Sequence, residues 1–157
     1  MNLYTIVTVV FPAEIDLLRL QARSLEKYCD RSLLGGILVI DNSFRGLNRA
    51  TMESIISAYG ALAPIVRVVR SSGVAEIPIA SGWWKQQVLK LLVARHVSTE
   101  RYLVLDAKTH LVETLDRGFL EAPDGRATVN VYSFLDHPLR NELANTLSYF
   151  SLPFPED

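Results

Sequence analysis

An α/β fold, with a mostly parallel sheet covered by helices on both faces, is the architecture this sequence predicts. Three observations point to it. Apolar runs of strand length recur at Tyr4 to Phe11, Ile37 to Ile40, Ile65 to Val69 and Tyr102 to Leu105. Amphipathic helical patterns separate them. The first run is β-branched and apolar almost throughout, as in a strand buried on both faces. Strands alternating with helices pair in parallel through right-handed crossovers. The ends of strands one, two and four are then expected along one rim.

Each element has its own signal. Pro12 stops the first strand and suits the first turn of a helix. From Glu14 to Tyr28, Ile15, Leu18, Ala22, Leu25 and Tyr28 recur at helical spacing. Gly35-Gly36 is read as a break before the second strand, which ends at Asp41-Asn42-Ser43. Asn48 is placed to cap a second helix with a stripe of Met52, Ile55, Ile56 and Tyr59, and Gly60 to end it. Ser71 to Ser81, with glycine, serine and Pro78, reads as a loop. A helix is expected over Trp84 to Val97, with Trp84, Val88, Leu91 and Leu92 on its core side. Pro123-Asp124-Gly125 is a turn, and Thr128 to Phe134 a fifth strand. Pro138 opens a last helix with Leu139, Leu143, Leu147 and Phe150 on one side. One domain is expected over residues 1–150, with an extended tail over 151–157.

Composition narrows the function classes. The 157 residues are 49% hydrophobic and 21% charged, ordinary values for a globular domain. The net charge is −1 and the basic residues are scattered, which argues against nucleic acid as a partner. The lone Cys29 leaves no internal disulfide and fits a reducing compartment. The N-terminal run lacks a basic region and a cleavage pattern, and it is shorter than the ~20 residues of a membrane span. A cytoplasmic protein with no membrane span is therefore expected.

Four groups of residues are candidates for chemistry. Asp41 and Asn42 end the second strand, where a carboxylate meets ribose or base hydroxyls, or where Asp, Asn and Ser merely fold a turn. Asp106, Lys108 and His110 follow the fourth strand at alternate positions. In an extended backbone they share one face at the end of an interior strand. Asp106 and His110 are candidate metal ligands, and Lys108 a candidate phosphate cation. Trp83, Gln86, Gln87 and Lys90 lie on one helix face and suit a sugar, or they form an ordinary solvated stripe. Asp136 precedes His137 and Pro138, as a general base or as a complement to a helix dipole. No phosphate-binding glycine fingerprint, G-x-S-x-G, H-E-x-x-H or cysteine-pair motif is present.

With YTIVTVVF, ILVIDNS, SGWWKQQVLKL and YLVLDAKTH in view, the chain resembles the Rossmann-like nucleotide-binding half of a GT-A type glycosyltransferase. The pattern is similar to a bacterial glycosyltransferase-like group of that superfamily. The resemblance implies a nucleotide-diphosphate sugar as donor and an unidentified hydroxyl-bearing acceptor. It implies that Asp41 contacts the nucleoside; Asn42 beside it, and Trp83, Gln86, Gln87 and Lys90 on their helix face, are the further candidates for nucleotide or sugar contact. Asp106 falls where the superfamily carries the first acid of its Asp-x-Asp motif, which gathers manganese or magnesium. Here the second acid is Lys108. Either Lys108 replaces the divalent cation, or His110 completes a different metal site with Asp106, or activity is lost. Such enzymes usually add an acceptor-binding half after the nucleotide half; here a truncation, a partner chain, self-association or a real loss of that half is expected. Asp136 is the candidate base for the acceptor. A non-catalytic nucleotide- or sugar-binding module, and an interaction domain with Trp83 at a protein interface, are the alternatives.

Overall fold

The computed structural model describes residues 4–78, 82–129 and 133–155. Strand β1 (Tyr4–Val10) is buried along its whole length. It is sandwiched between β2 (Leu34–Asp41) and β4 (Arg101–Val104), and β2 also pairs with β3 (Val66–Arg70). All pairings are parallel and the order is β3-β2-β1-β4. The α/β class and the parallel sheet expected from the sequence are what the chain adopts.

Helix α1 (Ile15–Tyr28) follows a 3₁₀ turn over Pro12–Glu14. It buries Ile15, Leu18, Ala22 and Leu25, the expected stripe, together with Gln21. Helix α2 (Arg49–Ala58) is capped by the Asn48 side chain, which accepts from the Thr51 N–H at 2.8 Å. Gly60 then takes φ +50°, a conformation that side chains disfavour. A Cβ there would overlap the Glu26 carboxylate, which accepts from the Ala61 N–H at 2.9 Å. This bond ties α1 to the end of α2.

The opposite face of the sheet carries α4 (Gly82–Leu92), reached from β3 through one helical turn, α3 (Ser71–Val74). Leu89 and Val93 pack on Val7, Val9, Leu38 and Ile40. That pair, four residues apart, sets the rotation of the helix. Leu91 is turned out at 72% exposure and Trp84 at 57%, so the expected core side is not the buried one. Both stripes are apolar in sequence, and only the seat over β1 decides between them.

Three further expectations are corrected. Gly35-Gly36 does not break the chain: β2 already starts at Leu34, and the register shift between Tyr4 and Thr5 leaves Gly35 as the unmatched residue of a bulge. Strand β4 is an edge strand among the described residues, half-buried rather than interior. Residues 71–74 are helical, not loop, and residues 79–81 of the expected loop lie outside the described residues.

The chain divides into two compact units, residues 1–119 and 120–157, where the sequence predicts one domain to residue 150. The short α5 (Arg117–Leu120) falls at the division. In the second unit, Glu121 and Ala127 pair antiparallel around the expected Pro123-Asp124-Gly125 turn. Arg126 beside Asp124 holds that carboxyl below its ordinary range. Helix α6 (Arg140–Tyr149) buries none of its residues. The expected fifth strand falls partly on residues 130–132, outside the described residues, and Thr128 and Val129 before it are exposed coil.

Two outcomes follow from buried groups. Tyr59 is fully buried and its hydroxyl has no hydrogen-bond partner among the described residues. Burial raises its pKa well above the ordinary value. Removing an unpaired buried hydroxyl relieves a desolvation cost of about 1 kcal/mol. Tyr59→Phe should therefore leave chemical-denaturation stability unchanged or raise it, and a loss above ~1 kcal/mol would show a missed partner. Cys29 caps the end of α1, and burial, aided by the Asp30 charge, pushes its thiol from 9.0 up to about 11. Its alkylation rate should reach half its maximum near pH 11, not 9. The folded thiol keeps a proton that the unfolded chain releases earlier. This contribution to stability is full below about pH 9 and is lost as pH rises toward the folded value.

Candidate functional site

Because every strand is parallel, the segments after β1, β2, β3 and β4 share one edge of the sheet, the rim where α/β folds bind ligands. Asp41 and Asp106 both lie there. Their surroundings differ.

Asp41 is buried to 1% exposure. One carboxylate oxygen accepts from the Ser43 N–H at 2.9 Å and the Ser43 hydroxyl at 2.5 Å. The other accepts from the Leu47 N–H at 2.7 Å, with Arg70 Nε 3.9 Å away. Both oxygens are thus spent on the loop over residues 42–48. The turn-forming reading of Asp41-Asn42-Ser43 describes this geometry, and Asp41 offers no free oxygen to a ribose. Gly46 takes φ +83°, and the Arg70 guanidinium lies where a Cβ would stand. Arg70 also donates to the Arg45 carbonyl at 3.1 Å.

Asn42 is 7% exposed, and among the described residues neither its amide nitrogen nor its amide oxygen has a hydrogen-bond partner. It lines a cleft of about 490 Å³ together with Arg70, Ser71, Ser72, Gly82 and Lys85. On the other side of the loop, a shallow hollow of about 590 Å³ runs to Pro12, Ile15 and Arg19 on the first helix. Phe44, at the loop tip, lines both and is almost fully exposed.

At the end of β4 the chain does not stay extended. The Thr109 N–H donates to the Asp106 carbonyl at 2.8 Å, closing a turn. Asp106, Lys108 and His110 therefore do not line up on one face. Asp106 pairs with Lys90 of α4 at 2.7 Å. His110 Nε2 donates to the Leu17 carbonyl of α1 at 3.3 Å. Lys108 is exposed and makes no ion pair among the described residues. Gln21, fully buried on α1, pins the turn: its amide nitrogen donates to the carbonyls of Asp106 at 2.6 Å and Thr109 at 3.1 Å. Its oxygen accepts from the Thr8 hydroxyl of β1 at 2.9 Å.

The expected metal pair does not fit a divalent ion as placed. The Asp106 carboxylate is neutralised by Lys90, and the His110 nitrogen is on a carbonyl of another element. Among the described residues, no three His, Cys, Asp or Glu side chains gather as metal ligands.

Along α4, Gln86 and Lys90 turn toward the sheet rather than into solvent. Gln86 donates to the Val9 carbonyl at 3.4 Å, and Gln87 is half-buried. Trp83 is 60% exposed and meets Trp84 edge-on, with ring centroids 5.1 Å apart. The expected sugar-facing stripe is thus divided, with Trp83 outward and Lys90 engaged with Asp106. Asp136 belongs to the second unit and is exposed. Gln21, Arg70 and Lys85 were not legible as site residues. Only Gln21 carried a signal, a polar residue inside the apolar stripe of α1.

The fold and the rim define a parallel α/β protein whose strand ends carry paired acids and outward cations. The chain belongs to the family of unknown function DUF6492, which matches residues 5–147. Neither the curated proteins nor the solved structures contain a match to it. Among the described residues, no helix is long and apolar enough to cross a membrane.

The three donors to Asp41 make its charge a structural requirement. Asp41→Asn turns a donor toward the Leu47 N–H and removes a charge-assisted bond. It should cost about 2 kcal/mol in urea denaturation. A variant as stable as the parent would mean that the loop does not depend on this carboxylate.

Proposed function

We propose that this protein binds a nucleotide-diphosphate sugar on the carboxyl rim of its sheet and transfers the sugar to an acceptor hydroxyl, without a divalent metal. One observation carries the reading. At the end of β4, Lys90 cancels the charge of Asp106 and leaves Lys108 exposed, with no ion pair among the described residues. A diphosphate approaching this point meets net positive charge. The resemblance of YLVLDAKTH to the Asp-x-Asp segment of GT-A glycosyltransferases supports the ligand class. In the transfer, the bond from the anomeric carbon to the diphosphate oxygen breaks and its electron pair leaves with the diphosphate. A bond to the acceptor oxygen forms and the acceptor proton is released. Lys108 would stabilise the leaving charge.

A second reading, binding without transfer, is favoured by the same ion pair. A carboxylate held by Lys90 is not available to organise a metal.

Calorimetry with uridine and guanosine diphosphates and their sugars tests the binding step. Binding should persist in a chelator and weaken about tenfold or more in Lys108→Ala, the effect of losing a charge-assisted contact. No heat with any of these ligands would overturn both readings, and binding lost to chelation would overturn the metal-free one. Release of free nucleotide diphosphate in the presence of an acceptor separates transfer from binding alone.

A further inference from the structure

We propose that the carboxyl rim of the sheet, at the loop after β2 and the first turn of α4, docks on a membrane surface that carries anionic lipid. This surface does not rest on the nucleotide-sugar reading and does not include Lys108.

Three aromatic side chains stand out of this edge. Phe44, at the tip of the loop after β2, is 98% exposed. Trp83 and Trp84 follow Gly82 at the start of α4 and are 60% and 57% exposed. Phe44 and Gly82 line one cleft, so the loop tip and the first turn of the helix border the same opening. A folded chain ordinarily covers most of the surface of side chains this large, and a group of them left exposed marks an interaction surface.

The charges beside the aromatics select the partner. Arg45 follows Phe44, and Lys85 follows Trp84. Neither makes an ion pair among the described residues. Arg70 lines the same cleft, but its guanidinium is engaged by Asp41 and the Arg45 carbonyl, so it is not counted. Of the nearby acids, Asp41 is buried, Asp16 is paired with Arg19 at 2.6 Å, and Glu76 is exposed in the hollow beside Lys85. Aromatic side chains settle at the headgroup level of a bilayer, where the ring leaves water and the polar atoms around it stay wet. Basic residues next to them are drawn to the negative surface of anionic lipid. The shape favours a fluid partner over a folded one. The aromatics project from two separate elements around a cleft of about 490 Å³, not from one flat patch. A folded partner would need a matching pocket for each anchor. Lipid flows around projecting side chains.

Trp83 and Trp84 are the two tryptophans of the chain, so its intrinsic fluorescence reports on this surface without a label. The intact chain is mixed with vesicles of phosphatidylcholine alone, or of equal parts phosphatidylcholine and phosphatidylserine. Binding is read by sedimentation, and the tryptophans by their emission maximum and by quenching with brominated lipid. The chain should sediment with the anionic vesicles, with blue-shifted and quenchable emission. Neutral vesicles should bind it about tenfold more weakly or less, the order of two basic residues near an anionic surface. Lys85→Glu should weaken binding to the anionic vesicles about tenfold, because a charge is reversed. Phe44→Ser should weaken it about tenfold as well, through the apolar surface lost from the interface. Leu91 is 72% exposed on the same helix but lies about 12 Å along it from Trp83, so Leu91→Ser should change nothing. Should either Phe44→Ser or Lys85→Glu fail to fold by circular dichroism, the other variant and the lipid comparison decide. No binding to anionic vesicles, equal binding to neutral ones, unshifted emission in the bound chain, or indifference to a folded variant each overturns the proposal. A loss in Leu91→Ser as large as in Phe44→Ser would overturn it by showing general stickiness. A blue shift that grows with protein concentration in the absence of lipid would overturn it in favour of a second copy covering the aromatics.

Discussion

The burial of the Asp41 carboxylate is the constraint on which the rim depends. A carboxylate taken out of water at the end of a central strand must find hydrogen-bond donors nearby. This chain finds them within six residues, in the N–H and hydroxyl of Ser43 and the N–H of Leu47. Satisfying them folds residues 42–48 into a tight loop. The loop needs a left-handed residue, supplied by Gly46, and the space above that glycine is filled by Arg70. Arg70 is thereby held at the mouth of the cleft beside Asn42 and Ser71. One buried charge thus sets the path of a loop, the position of a cation on the next strand and the shape of the hollow between them.

The other end of the rim is built by a neutral group doing a similar task. Strand β4 is short and, among the described residues, pairs along one side only. The amide of Gln21 reaches from α1 past the end of β1 and holds two carbonyls of the turn after β4. Its remaining acceptor takes the Thr8 hydroxyl, so this buried amide is used at both ends. Asn42 and Gln21 therefore make a sharp contrast. Both are buried amides close to the sheet edge. One is satisfied by the fold, and the other has no hydrogen-bond partner among the described residues.

How much was legible in the sequence follows from what each signal depends on. The strands and α1 were legible because their patterns are local: β-branched runs, and apolar residues at helical spacing from Ile15 to Leu25. The cap at Asn48 was legible for the same reason. The rotation of α4 was not, because Trp84-Val88-Leu91 and Leu89-Val93 are both plausible apolar faces until β1 chooses one. Gly35-Gly36 misled because pairing with β1 outweighs the weak strand preference of glycine. For the site, the rim position of Asp41 and Asp106 followed from topology, which alternating strands and helices imply. Their partners did not. Lys90 is 16 residues from Asp106, and Arg70 is 29 from Asp41, so neither pairing has a local signature. The alternate spacing of Asp106, Lys108 and His110 assumed a strand that in fact ends at Val104 and then turns.

Two aspartates that look alike in sequence therefore carry the same consequence by different means. Each ends or follows a central or edge strand, and each is engaged from within, Asp41 by two N–H groups, the Ser43 hydroxyl and Arg70, and Asp106 by Lys90. Once its acids are engaged internally, the rim shows solvent its bases. Among the described residues Lys108 stands unpaired after β4, whereas Arg70 at the end of β3 lies 3.9 Å from the Asp41 carboxylate. A net charge of −1 for the whole chain hides this separation. Local potential is set by the charges left unpaired at a concave edge, and not by their sum over the surface. The fold has thus turned a rim whose sequence reads as acidic, and therefore as metal-binding, into one whose acids are paired and whose Lys108 faces solvent.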